Sequence, residues 1–243
     1  MQKLYRDDAI VLRTHQLGEA DRIISLLTRR HGKVRAVAKG VRRTGSRFGA
    51  RLEPFGLIDI QLHAGKNLHT VTQVVTIDTF AQQITADYAR YTAASAMLET
   101  TDRLTDEVVD PSSQQFLLLV GAMRALATSD RPPALMLDAF LLRSLAQAGW
   151  TPQLRDCASC GAPGPHHAYS ISAGGLVCTA CRRPGAIAVR QAAIEHLIFL
   201  LAGDWDSVLA GDDTVALEAS RIIADTITWH LERSVRSLGY IER

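Results

Sequence analysis

Residues 22–43 read RIISLLTRRHGKVRAVAKGVRR, and the alternation inside that stretch decides the fold. Over Lys33–Val41, Val34, Ala36 and Ala38 alternate with Arg35, Val37 and Lys39, the period of two expected of a half-buried strand. Arg22–Thr28 reads as a second strand, closed by the His31-Gly32 turn. With Val34, Ala36 and Ala38 turned to a core, Arg35 and Lys39 stand on the outer face. Upstream, Ala9–Leu12 is a short apolar run ending in a polar turn that contains Gly18. Downstream, Leu57–Leu62 puts Ile58, Ile60 and Leu62 on one face. After the Gly65-Lys66-Asn67 turn, Leu68–Ile77 is rich in β-branched residues. Five strands with closely spaced turn signals predict a small β-barrel or sandwich. A five-stranded barrel with basic residues on one strand face and its flanking loop is the OB-fold pattern.

From Phe80 the period becomes helical, with Ile84, Tyr88, Tyr91, Ala94, Leu98 and Thr101 recurring at three and four. Asp110-Pro111-Ser112 breaks the chain and offers a cap to a second helix, Gln114–Ala127, with Phe116, Leu117, Val120, Met123 and Leu126. Arg131-Pro132-Pro133 opens a third, running through Leu137, Phe140, Leu141 and Leu145 to a stop at Gly149. Gln191–Ala202 and about 214–238 are again helical, the last with Leu217, Ile222, Ile223, Ile227, Leu231, Val235 and Leu238 as its stripe. The expected architecture is α+β: a five-stranded barrel over residues 1–80, then an all-α domain over 81–243 with an insert at about 155–185.

Charge is unevenly spread. The 243 residues carry a net charge of +2, with 47% apolar and 21% charged residues, a globular composition. Residues 1–80 hold 14 Lys/Arg against 7 Asp/Glu, a balance of +7; residues 81–150 balance at −3 and 151–243 at −2. Between Arg29 and Arg51 lie nine cations and no acid: Arg29, Arg30, Lys33, Arg35, Lys39, Arg42, Arg43, Arg47 and Arg51. A single-sign run of this density reads as a phosphate-binding surface. No secretory signal opens the chain, and its longest uncharged apolar run, Phe116–Met123, is far too short for a membrane helix. A cytoplasmic protein is expected.

The four cysteines are Cys157, Cys160, Cys178 and Cys181, two Cys-x2-Cys pairs separated by 17 residues. That spacing reads as one structural zinc site. Four thiolates fill a tetrahedral shell and leave no open position for water, so catalytic zinc is not expected. His166 and His167 lie nearby but are not needed. Tyr169–Ser172 and Leu176-Val177 flank Gly174-Gly175, a short hairpin between the knuckles. No P-loop, dinucleotide fingerprint, zinc-protease motif or nucleophile elbow occurs, and the acids form no two-metal cluster; a binding protein is expected, not an enzyme.

Gly18–Arg43, GEADRIISLLTRRHGKVRAVAKGVRR, then Leu52-Glu-Pro-Phe55, and later Cys-x2-Cys-Gly followed by Ser-x2-Gly-Gly-Leu-Val-Cys-x2-Cys, resemble the RecO family of bacterial recombination mediators in DNA repair. The resemblance runs over nearly the whole chain in the right order. It implies an OB-fold, a helical domain with a zinc-binding insert, binding of single- and double-stranded DNA, and annealing of complementary strands. It implies action with RecR on DNA coated with single-strand binding protein, whose C-terminal tail the helical domain receives, so that RecA loads. It implies association with the nucleoid during repair. The residues add one expectation. The first 80 hold only Tyr5, Phe48, Phe55 and Phe80 as aromatics, with Phe55 reading as strand core, so phosphate contacts and not base stacking should dominate. Nine such contacts on a single strand set a salt slope approaching about −6. The alternative is an RNA- or ribosome-associated OB-fold protein with a zinc ribbon, separated by competition between RNA and single-stranded DNA.

Overall fold

In the computed structural model, which describes residues 4–46, 48–106, 113–231 and 235–241, two compact units form, Met1–Arg131 and Pro132–Arg243. The first is built on β1 (Leu4–Leu17), β2 (Asp21–Thr28), β3 (Gly32–Ala38), β4 (Gly56–His63) and β5 (His69–Thr79). They close into a barrel of order β1-β2-β3-β5-β4, with β3 and β5 parallel and every other pair antiparallel. This is the OB-fold barrel expected from the alternation. Ala9, Val11, Ile24, Leu26, Val34, Ala36, Ala38, Ile58, Ile60, Leu62 and Val71 fill its interior. Val41, Phe48 and Leu52 from the β3–β4 loop join the same cluster, so that loop is anchored by buried side chains despite its charge.

β1 and β2 are buried on both faces. Ile10, Leu12, Ser25 and Leu27 alternate with the interior set yet are also inaccessible. Their cover comes from helices: α2 packs on β1, and α3 packs on β1 and β2. The helices are α1 (Ala81–Thr85), α2 (Tyr88–Leu104) and α3 (Ser113–Thr128). The first unit therefore contains these helices besides the barrel expected over 1–80. The single helical stripe expected from Ile84 to Thr101 is broken: the Asp87 carboxylate accepts the Arg90 N–H (2.8 Å) and starts a new helix on a new face. Tyr88 and Tyr91 are consequently exposed, while Ala93, Ala94, Met97 and Leu98 are buried. Leu117 is also exposed, and Leu119 takes the core place beside Phe116, Val120, Met123 and Leu126. Phe55 is buried, but just ahead of β4 at φ 69°, with its ring edge-on to Tyr91 at 5.9 Å; it is not strand core.

The second unit comprises α4 (Pro133–Gln147), β6 (Ala168–Ser170), β7 (Gly175–Leu176), β8 (Ile187–Ala188), α5 (Gln191–Ala202), α6 (Trp205–Leu209) and α7 (Asp213–His230). α4, α5 and α7 pack together. Arg143 of α4 donates to the carbonyls of Leu200 and Leu201, the C-terminal end where a helix favours a cation. Ser220 of α7 donates to the buried Asp138 carboxylate of α4. The last helix stops at His230, short of the expected 238; Arg236–Tyr240 is a 3-10 turn, and Leu217 is partly exposed. The expected cap at Asp110-Pro111-Ser112 lies outside the described residues. No described helix is long and apolar enough to cross a membrane.

Candidate nucleic-acid interface and metal centre

The cations of the 29–51 run fall into two groups, set by the direction of β3. At its N-terminal end, the β2–β3 turn, each cation meets an acid. Arg29 pairs with Asp8 at 3.7 Å. Arg30 reaches Asp7 through its side chain (3.2 Å) and its backbone N–H (3.0 Å), and its guanidinium also donates to the Arg6 carbonyl. His31 Nδ1 lies 2.6 Å from the other side of the same carboxylate, whose side chain is only 1% exposed. Lys33 belongs to no open surface: its side chain is 10% exposed and its ammonium lies 2.6 Å from both Asp102 and Asp106 at the end of α2. It also donates to the Asp102 carbonyl, and Arg13 adds a second cation 3.7 Å from Asp102. Lys33, expected among the phosphate ligands, stands here as a tie between barrel and helix.

Beyond Lys33 the helical cover ends and the outer face of β3 is open. Arg35, Lys39, Arg42 and Arg43 are exposed and make no ion pair among the described residues. Lys39 stands one residue past the strand, in a turn where Gly40 adopts φ 66°. The turn is pinned to the β1–β2 loop: Asp21 accepts the Gly40 N–H (2.7 Å), and Arg42 donates to the carbonyls of Ala20 (3.0 Å, backbone) and Glu19 (2.9 Å, side chain). These bonds fix the backbone that carries the exposed basic side chains. Arg51 is exposed on the short 3-10 turn Gly49–Leu52; Arg47 lies outside the described residues.

Lys66 was missed in the sequence. It is exposed, with no ion pair among the described residues, in the β4–β5 turn, one of the loops that flanks the ligand face of OB-folds. Its signal was the Gly65-Lys66-Asn67 turn itself, where a lone lysine carries little weight until the topology is known. Of the aromatics in the first 80 residues, Phe48, Phe55 and Phe80 are buried, and Tyr5 bonds His69 Nδ1 at 3.1 Å. Burial, then Asp7, pushes the Tyr5 phenol up to about 12, and burial, then His31, pulls His69 below the usual imidazole range.

The second unit gathers its four cysteines. The Sγ atoms of Cys157, Cys160, Cys178 and Cys181 all lie within 4.8 Å of one another, and Cys160 and Cys178 are 3.8 Å apart, too far for a disulfide. Thiolates about 2.3 Å from a tetrahedral zinc stand roughly 3.8 Å from each other, so this donor set fits the ion. Each Cys-x2-Cys closes through a tight turn: Gly161 N–H to the Cys157 carbonyl (2.8 Å), and Cys181 N–H to the Cys178 carbonyl (3.1 Å). The expected hairpin is present, pairing Tyr169 with Leu176 through a turn in which Gly174 has φ 73°. The Cys178 N–H points at Cys157 Sγ (3.4 Å) and is the first cause that pulls this thiol down to about 6, favouring a thiolate. Hydrogen bonds with Cys160 and then Cys178 push Cys181 up to about 12. His166 is engaged elsewhere, its Nε2 2.9 Å from the Ala162 carbonyl.

Comparison with known proteins agrees with this arrangement. The family model for "Recombination protein O N terminal" matches residues 1–80 and that for "Recombination protein O C terminal" matches residues 85–239. The chain is 55% identical over 240 residues to the DNA repair protein RecO of Thermobifida fusca (strain YX), with 99% of each chain covered. It is 53% identical over 246 residues to the DNA repair protein RecO of Streptomyces coelicolor (strain ATCC BAA-471 / A3(2) / M145), again with 99% of each covered. An OB barrel with a bare basic end, a helical segment and a four-cysteine cluster, matched by both family models, places this chain in the RecO family.

Proposed function

We propose that the chain is a non-enzymatic mediator of recombinational DNA repair that binds single- and double-stranded DNA and anneals complementary strands. The observation that carries this reading is the group Arg35, Lys39, Arg42 and Arg43, exposed on β3 and the turn after it with no ion pair among the described residues. Phosphates are read without regard to sequence, so one surface accepts either strand. Annealing must overcome repulsion between two phosphate backbones, and cations held at fixed positions lower that barrier while leaving the bases free to pair. By family membership, the reaction serves loading of RecA, with RecR, onto DNA coated with single-strand binding protein, whose C-terminal tail docks on the helical domain.

Cys157, Cys160, Cys178 and Cys181 hold one zinc ion in this reading. It supplies folding free energy to the 155–185 insert, and its filled shell offers no open position for chemistry. Metal analysis should return one equivalent per chain.

The deciding experiment is annealing of complementary strands coated with single-strand binding protein, with and without Glu at positions 35, 39, 42 and 43. Loss of annealing with the fold retained is expected. Retained annealing overturns the reading in favour of a protein adaptor, and turnover of a labelled strand would make the chain an enzyme.

A further inference from the structure

Next to the bare cations lies a cavity of about 500 Å³, to whose lining Arg51 of the basic run also contributes. It is lined by Gly49 and Ala50 of the 3-10 turn, by Pro54 just after it, and by Thr76 and Thr79 of β5. Two bonds place it at the basic end of the barrel. The backbone N–H of Ser46, on its rim, donates to the Arg43 carbonyl at 2.9 Å. Glu53, another lining residue, accepts from Arg22, which pairs across the sheet with Ala38 at the end of β3. A strand whose phosphates rest on Arg42 and Arg43 therefore passes the mouth of this cavity.

The lining says what enters. The volume falls within the roughly 300–1,000 Å³ of small-ligand sites. Its surfaces are largely apolar, from Ala50, Pro54, the glycine backbone and the edge of Phe48. Its polar lining is the Ser46, Thr76 and Thr79 hydroxyls, the Arg51 guanidinium and the Glu53 carboxylate. A carboxylate repels phosphate but accepts a hydrogen bond from an exocyclic amine, as acidic side chains do with cytosine. An apolar-faced, polar-edged guest tethered to a polyanion is a nucleobase.

We propose that this cavity receives one unstacked base of a single DNA strand held by the neighbouring cations. The inference rests on the DNA-binding reading above and gives that phosphate surface a means of telling single strands from duplex, whose bases stay stacked.

The test compares a single-stranded oligodeoxycytidine with an abasic strand of equal length, which keeps the phosphates and lacks the bases. Ala50 and Thr76 are both exposed, so Ala50→Leu with Thr76→Leu narrows the cavity without reaching the core and keeps every cation of the basic run. The natural chain should prefer the base-bearing strand by about tenfold, the scale of a single base contact. The double variant should lose that preference and bind the abasic strand unchanged, which also reports that it is folded; Thr79→Leu alone should lose part of it. An equal preference in natural chain and variants, with binding intact, overturns the base cavity and leaves the phosphate surface standing. Failure of the natural chain to bind either strand overturns both.

Discussion

At the β2–β3 turn, Arg29, Arg30 and Lys33 each pair with a carboxylate; at the other end of the same strand, Lys39, Arg42 and Arg43 form no ion pair among the described residues. The two ends have similar densities of cation and different energetics. At the first, charge is used to hold the fold: Asp7 ties β1 to the turn, and Asp102 with Asp106 ties β3 to α2. At the second, exposed charge is carried on a backbone fixed by hydrogen bonds and is available to a ligand. The cations from Arg29 to Arg43 are thus two populations, and what separates them is the position of acids distant in sequence.

The largest effect that tests this division is charge reversal at the bare end. Arg35→Glu, Lys39→Glu, Arg42→Glu and Arg43→Glu together should weaken single-stranded DNA binding at least about 100-fold near 0.1 M salt. The salt slope should shrink by about 3, four contacts at roughly 0.7 each. Arg29→Ala with Arg30→Ala should cost only a few-fold by fluorescence anisotropy. Equal losses from the two sets would erase the distinction between the ends.

Lys33→Met probes the other end, and its effect should appear in stability. Removing the ammonium leaves Asp102, 12% exposed, without its nearest cation. Loss of one partner of a buried pair costs about 3 kcal/mol, read as a lower midpoint in urea. The affinity of the folded protein for DNA should stay within about twofold. A large fall in affinity with stability unchanged would mean that Lys33 leaves its carboxylates for phosphate, and the neutralised end would then belong to the binding surface.

The barrel was legible in the sequence because one face of each strand is interior, and period two records that directly: Val34, Ala36 and Ala38 are all buried, with Arg35 exposed between them. The metal cluster was equally legible, since Cys-x2-Cys fixes its geometry within four residues. Lys33 was not. Its partners come from α2, and no local pattern announces a pairing across that span. Tyr88 and Tyr91 misled for a related reason: a stripe can be read through a helix break when a cap such as Asp87 is discounted. Leu27 and Ile10 read as ordinary strand residues, and nothing nearby shows that helices cover their outer face.

Lys66 sharpens the comparison on a smaller scale, because it lies in the β4–β5 turn, at the same end of the barrel as the neutralised cations, yet has no ion pair among the described residues. Lys66→Glu should weaken strand binding about threefold to fivefold, one exposed contact's worth, with no change in the urea midpoint. No change in affinity would confine the surface to β3 and the β3–β4 loop.

The smallest effect is in the pH dependence of stability, and it belongs to the neutralised end. Burial, and then His31, lowers His69 below its ordinary value, while Tyr5 bonds its Nδ1. A histidine depressed in the fold binds its proton more readily when unfolded. The unfolded chain therefore takes up protons first as pH falls below about 6.5, and the fold loses stability over that window. His69→Gln keeps an acceptor for the Tyr5 hydroxyl and removes the titration, so its urea midpoint should fall less between pH 7 and pH 5.5 than that of the natural chain. Burial also lowers His196 and His230 in the second unit, so part of the slope should remain. A slope identical in the two proteins would place all of the pH sensitivity in the second unit and leave the neutralised end of the barrel held by its carboxylates alone.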